Sequence, residues 1–250
     1  WSLVLKNVDV VVHLASHMSD MNLEENYEKS EYKKINEEGT LNLVRQSMDH
    51  GIKKFIFLST IGVYGTKSIH PFKYGDKENP SNFYSESKLK AEKHIYNLLS
   101  CSKTKYVIIR SAAVYGPNNK GSFGPLLRAI NLKLPLPLKN IRNKRSFISI
   151  NSLTTVIKKC IEDNSIADIG FNASDQLDKS TPEIIELTSL NNNLRPILFN
   201  FPPYLLKIMF KLFGMQIIGS KLLDNFQVDS SYMNKFVYNI KLNDSSDKKL

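Results

Sequence analysis

The sequence predicts an α/β fold whose core is a doubly wound parallel sheet, followed by a smaller mixed lobe. Three apolar, β-branched runs lie in the first half of the chain, at 8–15, 55–60 and 106–112. Runs of this length and composition are typical of strands buried on both faces. Helical patterns separate the runs, and strand–helix alternation at this spacing indicates right-handed βαβ crossovers.

The segments between these strands predict two loops and two helices. Residues 16–30 are polar and irregular, and residues 61–80 are broken by glycine and proline, so both are predicted loops. A long loop inside a compact domain is more often functional than idle. Helices are predicted over 31–50 and 82–100. The first helix has these apolar residues near one face: Ile35, Leu43, Val44 and Met48.

Beyond residue 113 the pattern changes to mixed elements. It predicts, in order, a helix near 123–132, a strand at 145–150, a helix over 151–163, a strand at 169–173, and helices over about 181–190 and 202–213. The predicted organisation is a core over 1–113, a lobe over 114–243 that is interleaved with the core, and a tail at 244–250. The tail is polar and charged, so it is predicted to be disordered.

Composition narrows the class of protein. The chain has 250 residues, 42% hydrophobic and 23% charged, as in an ordinary globular protein. Its net charge of +10 comes from lysines scattered through nearly every segment, which favours a basic solvated surface over nucleic-acid binding. The two cysteines show no pairing or metal-binding pattern, which indicates a reducing, cytoplasmic compartment. No apolar run reaches the roughly 18 residues of a membrane span, and the first residues do not resemble a signal peptide.

A Tyr-x-x-x-Lys pair, Tyr84 and Lys88, is the first candidate for chemistry. Both residues lie on the apolar stripe of their predicted helix. An ammonium group placed toward the core costs free energy unless it has a partner or a function there. Thr60 ends a predicted strand on the side where parallel sheets bind ligands. A surface tyrosine and lysine beside a strand-end threonine would explain the composition equally well.

The three side chains together suit proton transfer coupled to hydride transfer. A phenol with an unperturbed pKa of about 10 is a poor base at neutral pH. A nearby ammonium favours the phenolate and lowers that pKa, so Tyr84 could take a proton from a substrate hydroxyl while hydride leaves the same carbon. The hydroxyl of Thr60 would orient the reacting oxygen.

Six ordered segments resemble one protein family. They are HLAS at 13–16, Asn36 in INEEGT, STIGVYG at 59–65, YSESK at 84–88, IRSAAVYGP at 109–117 and RSFISI at 145–150. Over nearly its whole length the chain resembles the extended short-chain dehydrogenase/reductases of the NAD-dependent epimerase/dehydratase family. Within that family it is most similar to the UDP-glucose 4-epimerase-like enzymes and the related UDP-sugar 4-keto reductases. The resemblance implies a Rossmann-like sheet and a UDP-sugar substrate.

The resemblance implies a role for each matching residue. Thr60, Tyr84 and Lys88 take the catalytic positions, and Tyr84 and Lys88 also contact the cofactor, NAD or NADP, with Lys88 at its nicotinamide ribose. Four more residues would line the cofactor: Leu14, Ala15, Ser16 and Ser59. Lys120 and Arg145 would bind the substrate, with the guanidinium fork of Arg145 at the diphosphate. A surface ion pair is the alternative for Arg145.

The sequence departs from the family pattern in two places. It contains no G-x-x-G-x-x-G segment, the helix start that binds the pyrophosphate of a dinucleotide. We therefore expect a chain that lacks the first strands of its sheet and that by itself binds NAD weakly. Ile61 and Gly62 follow Thr60 where the 4,6-dehydratases of the family carry acidic residues, which argues against a dehydratase.

The predicted function is epimerisation at C4 of a UDP-hexose by NAD-dependent hydride transfer, with a homodimer as one conceivable assembly. A UDP-4-keto-sugar reductase that uses NAD(P)H would need the same residues, and the sequence does not separate the two. Another alternative is an inactive remnant unable to hold NAD. A third interpretation is that residues 202–213 form a basic amphipathic helix that binds a membrane, because Lys207 and Lys211 are four residues apart. A buried lobe helix accounts for that segment better, so neither stable membrane insertion nor a nucleic-acid partner is expected.

Overall fold

Eight strands are present in the computed structural model, which describes residues 1–18, 25–117 and 124–237. They are β1 (Val10–His13), β2 (Lys54–Thr60), β3 (Lys105–Ser111), β4 (Ala113–Tyr115), β5 (Pro135–Leu136), β6 (Phe147–Ser149), β7 (Ile169–Ala173) and β8 (Ile197–Leu198). Four of them form one sheet in the order β1–β2–β3–β7, and every neighbouring pair is parallel. The others pair as β4 with β6 and β5 with β8. The predicted parallel sheet is confirmed.

Helices connect these strands. They are α1 (Glu25–Tyr32), α2 (Gly39–Asp49), α3 (Phe83–Leu99), α4 (Gly124–Asn131), α5 (Ile150–Glu162), α6 (Thr181–Asn191), α7 (Pro203–Leu212), α8 (Gln216–Leu223) and α9 (Ser231–Val237). A π-helical segment, Lys33–Glu38, joins α1 to α2, and a 3₁₀ turn, Ile61–Tyr64, follows β2 directly. Within the described ranges, no helix combines the length and the apolar composition needed to cross a bilayer.

Each face of the sheet is covered by its own layer of apolar side chains. Successive residues of β2 point to opposite faces, so Phe55 and Phe57 pack with α2 and α3, while Ile56 packs with α5. All three side chains are inaccessible to solvent. Helices therefore cover both faces, as the prediction of a doubly wound sheet requires.

The segment before α2 differs from the prediction in two details. Helix α1 begins at Glu25, inside the predicted loop at 16–30, because polar composition alone does not prevent a helix that packs against its neighbours. Ile35 was predicted to lie on one face with Leu43 and Val44, but it is exposed, whereas those two residues and the adjacent Asn36 are buried. A π turn contains more residues than a regular turn, so it rotates the side chains that follow it away from the 3.6-residue pattern.

The part of the chain after β4 contains a smaller apolar cluster. Its buried members are Ile130, Leu138, Ile141, Ile185 and Leu206. Helix α7 supplies only Leu206 to the fully buried set, so the prediction of a buried lobe helix at 202–213 is wrong for most of its residues. A helix at the edge of a small lobe buries one stripe, whereas α7 is apolar on more than one side.

Candidate active site

The strand ends that were predicted to form a site lie together at the carboxyl edge of the sheet. Thr60, the last residue of β2, is in register with Ser111, the last residue of β3. Leu14, Ala15 and Ser16 follow β1 at the same edge and are exposed. In parallel α/β sheets this edge is where ligands bind.

Tyr84 stands in the first turn of α3. Asn82 caps this helix by accepting a hydrogen bond from the backbone N of Ser85 at 2.8 Å. The phenol is hydrogen-bonded to the side chain of Ser16, and the ring of Tyr32 lies edge-on at 6.3 Å between centroids. Burial raises the pKa of the Tyr84 phenol, and the hydrogen bond with Ser16 opposes that rise. The protein alone therefore keeps this phenol protonated at neutral pH.

Lys88 lies one helical turn after Tyr84 and points into the interior. The residue is 2% exposed, and its Nζ is 3.9 Å from the centroid of the Phe57 ring. Burial lowers the pKa of Lys88 to about 7, and the charge of Glu92 opposes this shift. Within the described part of the chain, Nζ donates no hydrogen bond. A buried ammonium with three donors and no acceptor is a group that a bound ligand would satisfy.

The expected effect of this ammonium on the phenol is absent in the protein alone. The sequence predicted that Lys88 would lower the pKa of Tyr84, whereas burial raises it. The charge of Lys88 acts instead on His13, whose pKa falls to about 4 through burial and repulsion from that lysine. His13 is therefore neutral at pH 7, with Nε2 2.8 Å from Oγ1 of Thr40. Sequence reasoning had not given His13 a role at this site.

Thr60 packs against the start of α3. Its Oγ1 accepts a hydrogen bond from the backbone N of Gly62 at 3.0 Å and so caps the 3₁₀ turn. A Cβ atom added at Gly62 would lie 3.2 Å from Oγ1 of Thr60 and 2.5 Å from Oγ of Ser85. The two hydroxyls thus flank Gly62, next to the helical turn that carries Tyr84. An acidic side chain at position 62 would have to displace Ser85.

Asn36 is a residue of this site that sequence reasoning did not select. It is buried on the π-helical segment and accepts hydrogen bonds from the backbone N of His17 at 2.7 Å and from Oγ of Ser16 at 3.2 Å. Its amide donates to the carbonyl of His17 and to Oγ of Ser87, each at 3.0 Å. Asn36 therefore ties the loop after β1 to α3. Its only sequence signal was its place in one of the family-like segments, because a π turn leaves no mark in regular helical periodicity.

A buried ion pair anchors α3 to the sheet. Oε2 of Glu92 lies 2.7 Å from Nη2 of Arg110 on β3, and both side chains are almost fully buried. Arg110 also donates to Oε1 of Glu78 at 2.8 Å and to the hydroxyl of Tyr64 at 2.9 Å. Burial disfavours the charged guanidinium, but the hydrogen bonds and charge of Glu92 raise its pKa overall.

Arg145 lies away from these residues, between β6 and the end of α8. Its Nη1 donates to the backbone carbonyls of Asp224 at 2.9 Å and Ser220 at 3.4 Å, and its guanidinium lies 5.3 Å from the centroid of the Phe226 ring. Burial lowers the pKa of Arg145 to about 10, and the charge of Asp224 opposes this. These contacts are not the surface ion pair considered as an alternative. Lys120 lies outside the described residues, as does the tail predicted at 244–250.

Comparison with known proteins identifies the family. The model of the NAD dependent epimerase/dehydratase family matches residues 2–192, and the chain belongs to that family. Over 235 residues the chain is 37% identical to the UDP-glucose 4-epimerase of Vibrio cholerae. The aligned region covers 93% of this chain and 72% of that relative.

Solved structures share the Rossmann-like fold. UDP-glucuronic acid 4-epimerase from Bacillus cereus in complex with NAD superposes with a TM-score of 0.71 at 20% identity, covering 95% of this chain and 70% of that chain. MoeE5 in complex with UDP-glucose and NAD superposes with a TM-score of 0.72 at 18% identity, covering 95% of this chain and 75% of that chain. At these identities the likeness establishes the fold.

Proposed function

We propose that the protein interconverts UDP-hexoses that differ in configuration at C4, with NAD as the hydride carrier. The proposal is supported by the position of Thr60 at the carboxyl end of β2 and by the hydrogen bond of Tyr84 to Ser16 at the same edge of the sheet, with Lys88 one helical turn after Tyr84. The 37% identity to a UDP-glucose 4-epimerase supports both the reaction and the class of substrate. The absence of space beside Gly62 for an acidic side chain argues against dehydration.

The cofactor would lie along the strand ends, against Leu14, Ala15 and Ser16. Two polar groups lie nearby: Oγ of Ser59, which is buried without a hydrogen-bond partner among the described residues, and Nζ of Lys88, which faces the Phe57 ring. The hydroxyls of a ribose would satisfy both, so these residues fit the nicotinamide half of the dinucleotide. When bound, the nicotinamide would accept hydride from C4 and return it to the opposite face.

Tyr84 would act as the acid–base group. As hydride left C4 for the bound nicotinamide, the phenolate would take the proton of the C4 hydroxyl and a carbonyl would form. After the 4-keto sugar had turned, the phenol would return the proton to the C4 oxygen as hydride came back to the opposite face of C4. Because burial raises the pKa of this phenol, proton removal requires donors that stabilise the phenolate. The hydroxyl of Ser16 and the cation of Lys88 would provide that stabilisation, and the hydroxyl of Thr60 would orient the C4 oxygen.

The diphosphate of the substrate would bind at Arg145, with Lys120 assigned to the same end by family resemblance alone. Nη1 of Arg145 is held by the carbonyls at the end of α8, which fixes the plane of the guanidinium. Its Nε and Nη2 make no hydrogen bond within the described residues. Two donors held in one plane suit two phosphate oxygens.

The proposal is tested in two preparations. The purified 250-residue chain is titrated with UDP-glucose and with NAD by calorimetry. A chain extended at its amino end by the glycine-rich βαβ unit that the family pattern requires is then assayed for interconversion of UDP-glucose and UDP-galactose. Tyr84→Phe is expected to reduce kcat by roughly a hundredfold or more, as for loss of general acid–base catalysis.

The outcomes separate the alternatives. We expect the 250-residue chain to bind UDP-glucose and to bind NAD only weakly, because it has no glycine-rich helix start. Interconversion in the extended chain that is lost in Tyr84→Phe supports the proposal. An extended chain that binds NAD but only reduces UDP-4-keto sugars would identify the reductase. One that binds NAD and converts neither class of sugar would refute the proposal.

A further inference from the structure

Helix α7 and the turn after it expose an apolar face. The face consists of Tyr204, Leu205, Ile208, Met209, Leu212 and Phe213, all of which are substantially accessible to solvent. At 100° per residue, the first five occupy one continuous arc of the helix. Leu212 is 79% exposed and Phe213 is 70% exposed.

The opposite side of α7 packs against its own lobe. Leu206 is buried and Phe210 is partly buried in the cluster that also contains Ile185 and Leu138. The helix is therefore already fixed to the protein, and its outward face is left exposed by the residues that the structure describes. A contiguous exposed apolar face of this kind marks an interaction site.

The segment that contains α7 is rich in cationic residues, and the first acidic residue after it, Asp224, is neutralised by Lys207. Positions 187–223 contain four cationic residues and no Asp or Glu: Arg195, Lys207, Lys211 and Lys221. Lys207 and Lys211 lie on α7 at the border of the apolar arc, one turn apart. Lys207 is paired with Asp224, at 2.9 Å between Nζ and Oδ1, whereas Lys211 is exposed and forms no ion pair within the described part of the chain. An anionic surface is the complement of an apolar arc bordered by lysine.

We propose that this α7 face adsorbs to an anionic lipid bilayer. The helix would lie in the plane of the interface, with Leu212 and Phe213 at the boundary between headgroups and acyl chains and Lys211 at the lipid phosphates. α7 has ten residues, too few to cross a bilayer, so the contact is peripheral. The proposal does not depend on the enzymatic function, because it uses none of the residues assigned to catalysis.

The test is co-sedimentation of the purified chain with vesicles. Vesicles of phosphatidylcholine alone are compared with vesicles containing one part phosphatidylglycerol to two parts phosphatidylcholine, at low and high salt. Leu212→Ser and Phe213→Ser are each expected to weaken binding by roughly tenfold, since each removes a large apolar side chain from the interface. Lys211→Glu is expected to weaken binding to the anionic vesicles only. Leu177→Ser, at a 74% exposed position outside α7, is the matched control and should bind like the unchanged protein.

Two results would overturn the proposal. One is the absence of the predicted vesicle binding: the chain does not sediment with anionic vesicles at low salt, or Leu212→Ser and Phe213→Ser bind these vesicles as well as Leu177→Ser does. The other is a dimer in size-exclusion chromatography that dissociates in Leu212→Ser while no variant binds vesicles, which would assign the face to a second copy of the chain. Circular dichroism of each variant confirms that it is folded.

Discussion

Glu92 and Arg110 meet inside the protein, with Oε2 of the carboxylate 2.7 Å from Nη2 of the guanidinium. Glu92 also lies one helical turn after Lys88, and its charge raises the pKa of that lysine against the effect of burial. One carboxylate therefore both anchors α3 and favours the cationic form of Lys88.

Replacing Glu92 by glutamine should affect both roles. Without the carboxylate charge, the pKa of Lys88 falls below its present value of about 7. The alkaline limb of kcat/KM against pH, measured in the amino-terminally extended chain, should therefore move to lower pH. Arg110 loses half of its ion pair, and we expect unfolding in urea to show a loss of about 3 kcal/mol. The control is Glu86→Gln, which breaks an exposed pair with Lys90 on the same helix. An alkaline limb that stays in place would contradict the link to Lys88.

Replacing Lys88 by methionine should make the protein more stable at neutral pH while removing activity. The pKa of Lys88 is lowered in the folded state, so protonation favours unfolding, and stability rises with pH between about 7 and 10.5. At about 1.4 kcal/mol per pKa unit, the variant should be more stable by up to several kcal/mol at pH 7. The difference should shrink toward pH 10. Lys103→Met, at an exposed position, should show no such pH dependence; a constant difference in Lys88→Met would contradict the burial argument.

Gly62→Ala should reduce kcat of the amino-terminally extended chain. The new Cβ would meet Oγ of Ser85 at 2.5 Å and Oγ1 of Thr60 at 3.2 Å, so the contact between β2 and the first turn of α3 must shift. We expect a loss of stability of about 1–3 kcal/mol from this overpacking, measured by thermal unfolding. Gly39→Ala is the matched control, because its Cβ would meet only ordinary contact at 3.5 Å within a helix. Equal kcat in the two variants would mean that the site tolerates the displacement.

Lys54→Met should destabilise the chain without changing the site. Nζ of Lys54 donates to the carbonyls of Cys160 at 2.8 Å and Asp163 at 2.9 Å, which terminate α5 on the far side of the sheet. Loss of both hydrogen bonds should cost about 2 kcal/mol in urea unfolding. The adjacent Lys53→Met breaks only an exposed pair with Asp9 and should cost less than about 1 kcal/mol. Similar costs for the two variants would show that the buried contacts contribute little.

In the amino-terminally extended chain, Arg145→Ala should raise KM for the UDP-sugar more than it lowers kcat. That pattern is expected when a group binds the ground state and the transition state equally. Arg142→Ala, at an exposed position three residues earlier, is the control. Thermal unfolding separates this effect from loss of the contacts to Asp224 and Ser220. An unchanged KM would show that Arg145 does not contact the diphosphate.

The hydrophobic pattern of the sequence was sufficient to predict the parallel sheet, because its buried strands are nearly continuous apolar runs. It also placed Lys88 toward the core, where the structure has it buried over Phe57. It could not locate the partner of Arg110, since that contact joins β3 to a helix 18 residues earlier and depends on three-dimensional packing. Sequence periodicity also could not predict the direction of the Asn36 side chain, because the π turn sets that direction. Nor could periodicity decide which apolar residues of α7 face the solvent and which face the core.

The four hydrogen bonds of Asn36 have a consequence for local unfolding. The backbone amide of His17 is protected by the side chain of Asn36, which Ser87 of α3 holds in place, so its proton exchanges with solvent when the loop separates from Asn36. The rate of that single exchange therefore reports on the integrity of the contact between them. A ligand that bound next to Ser16 and tightened this contact would slow hydrogen exchange at the His17 amide. Ligand binding at the sheet edge could therefore be measured from the exchange rate of one amide, without an activity assay.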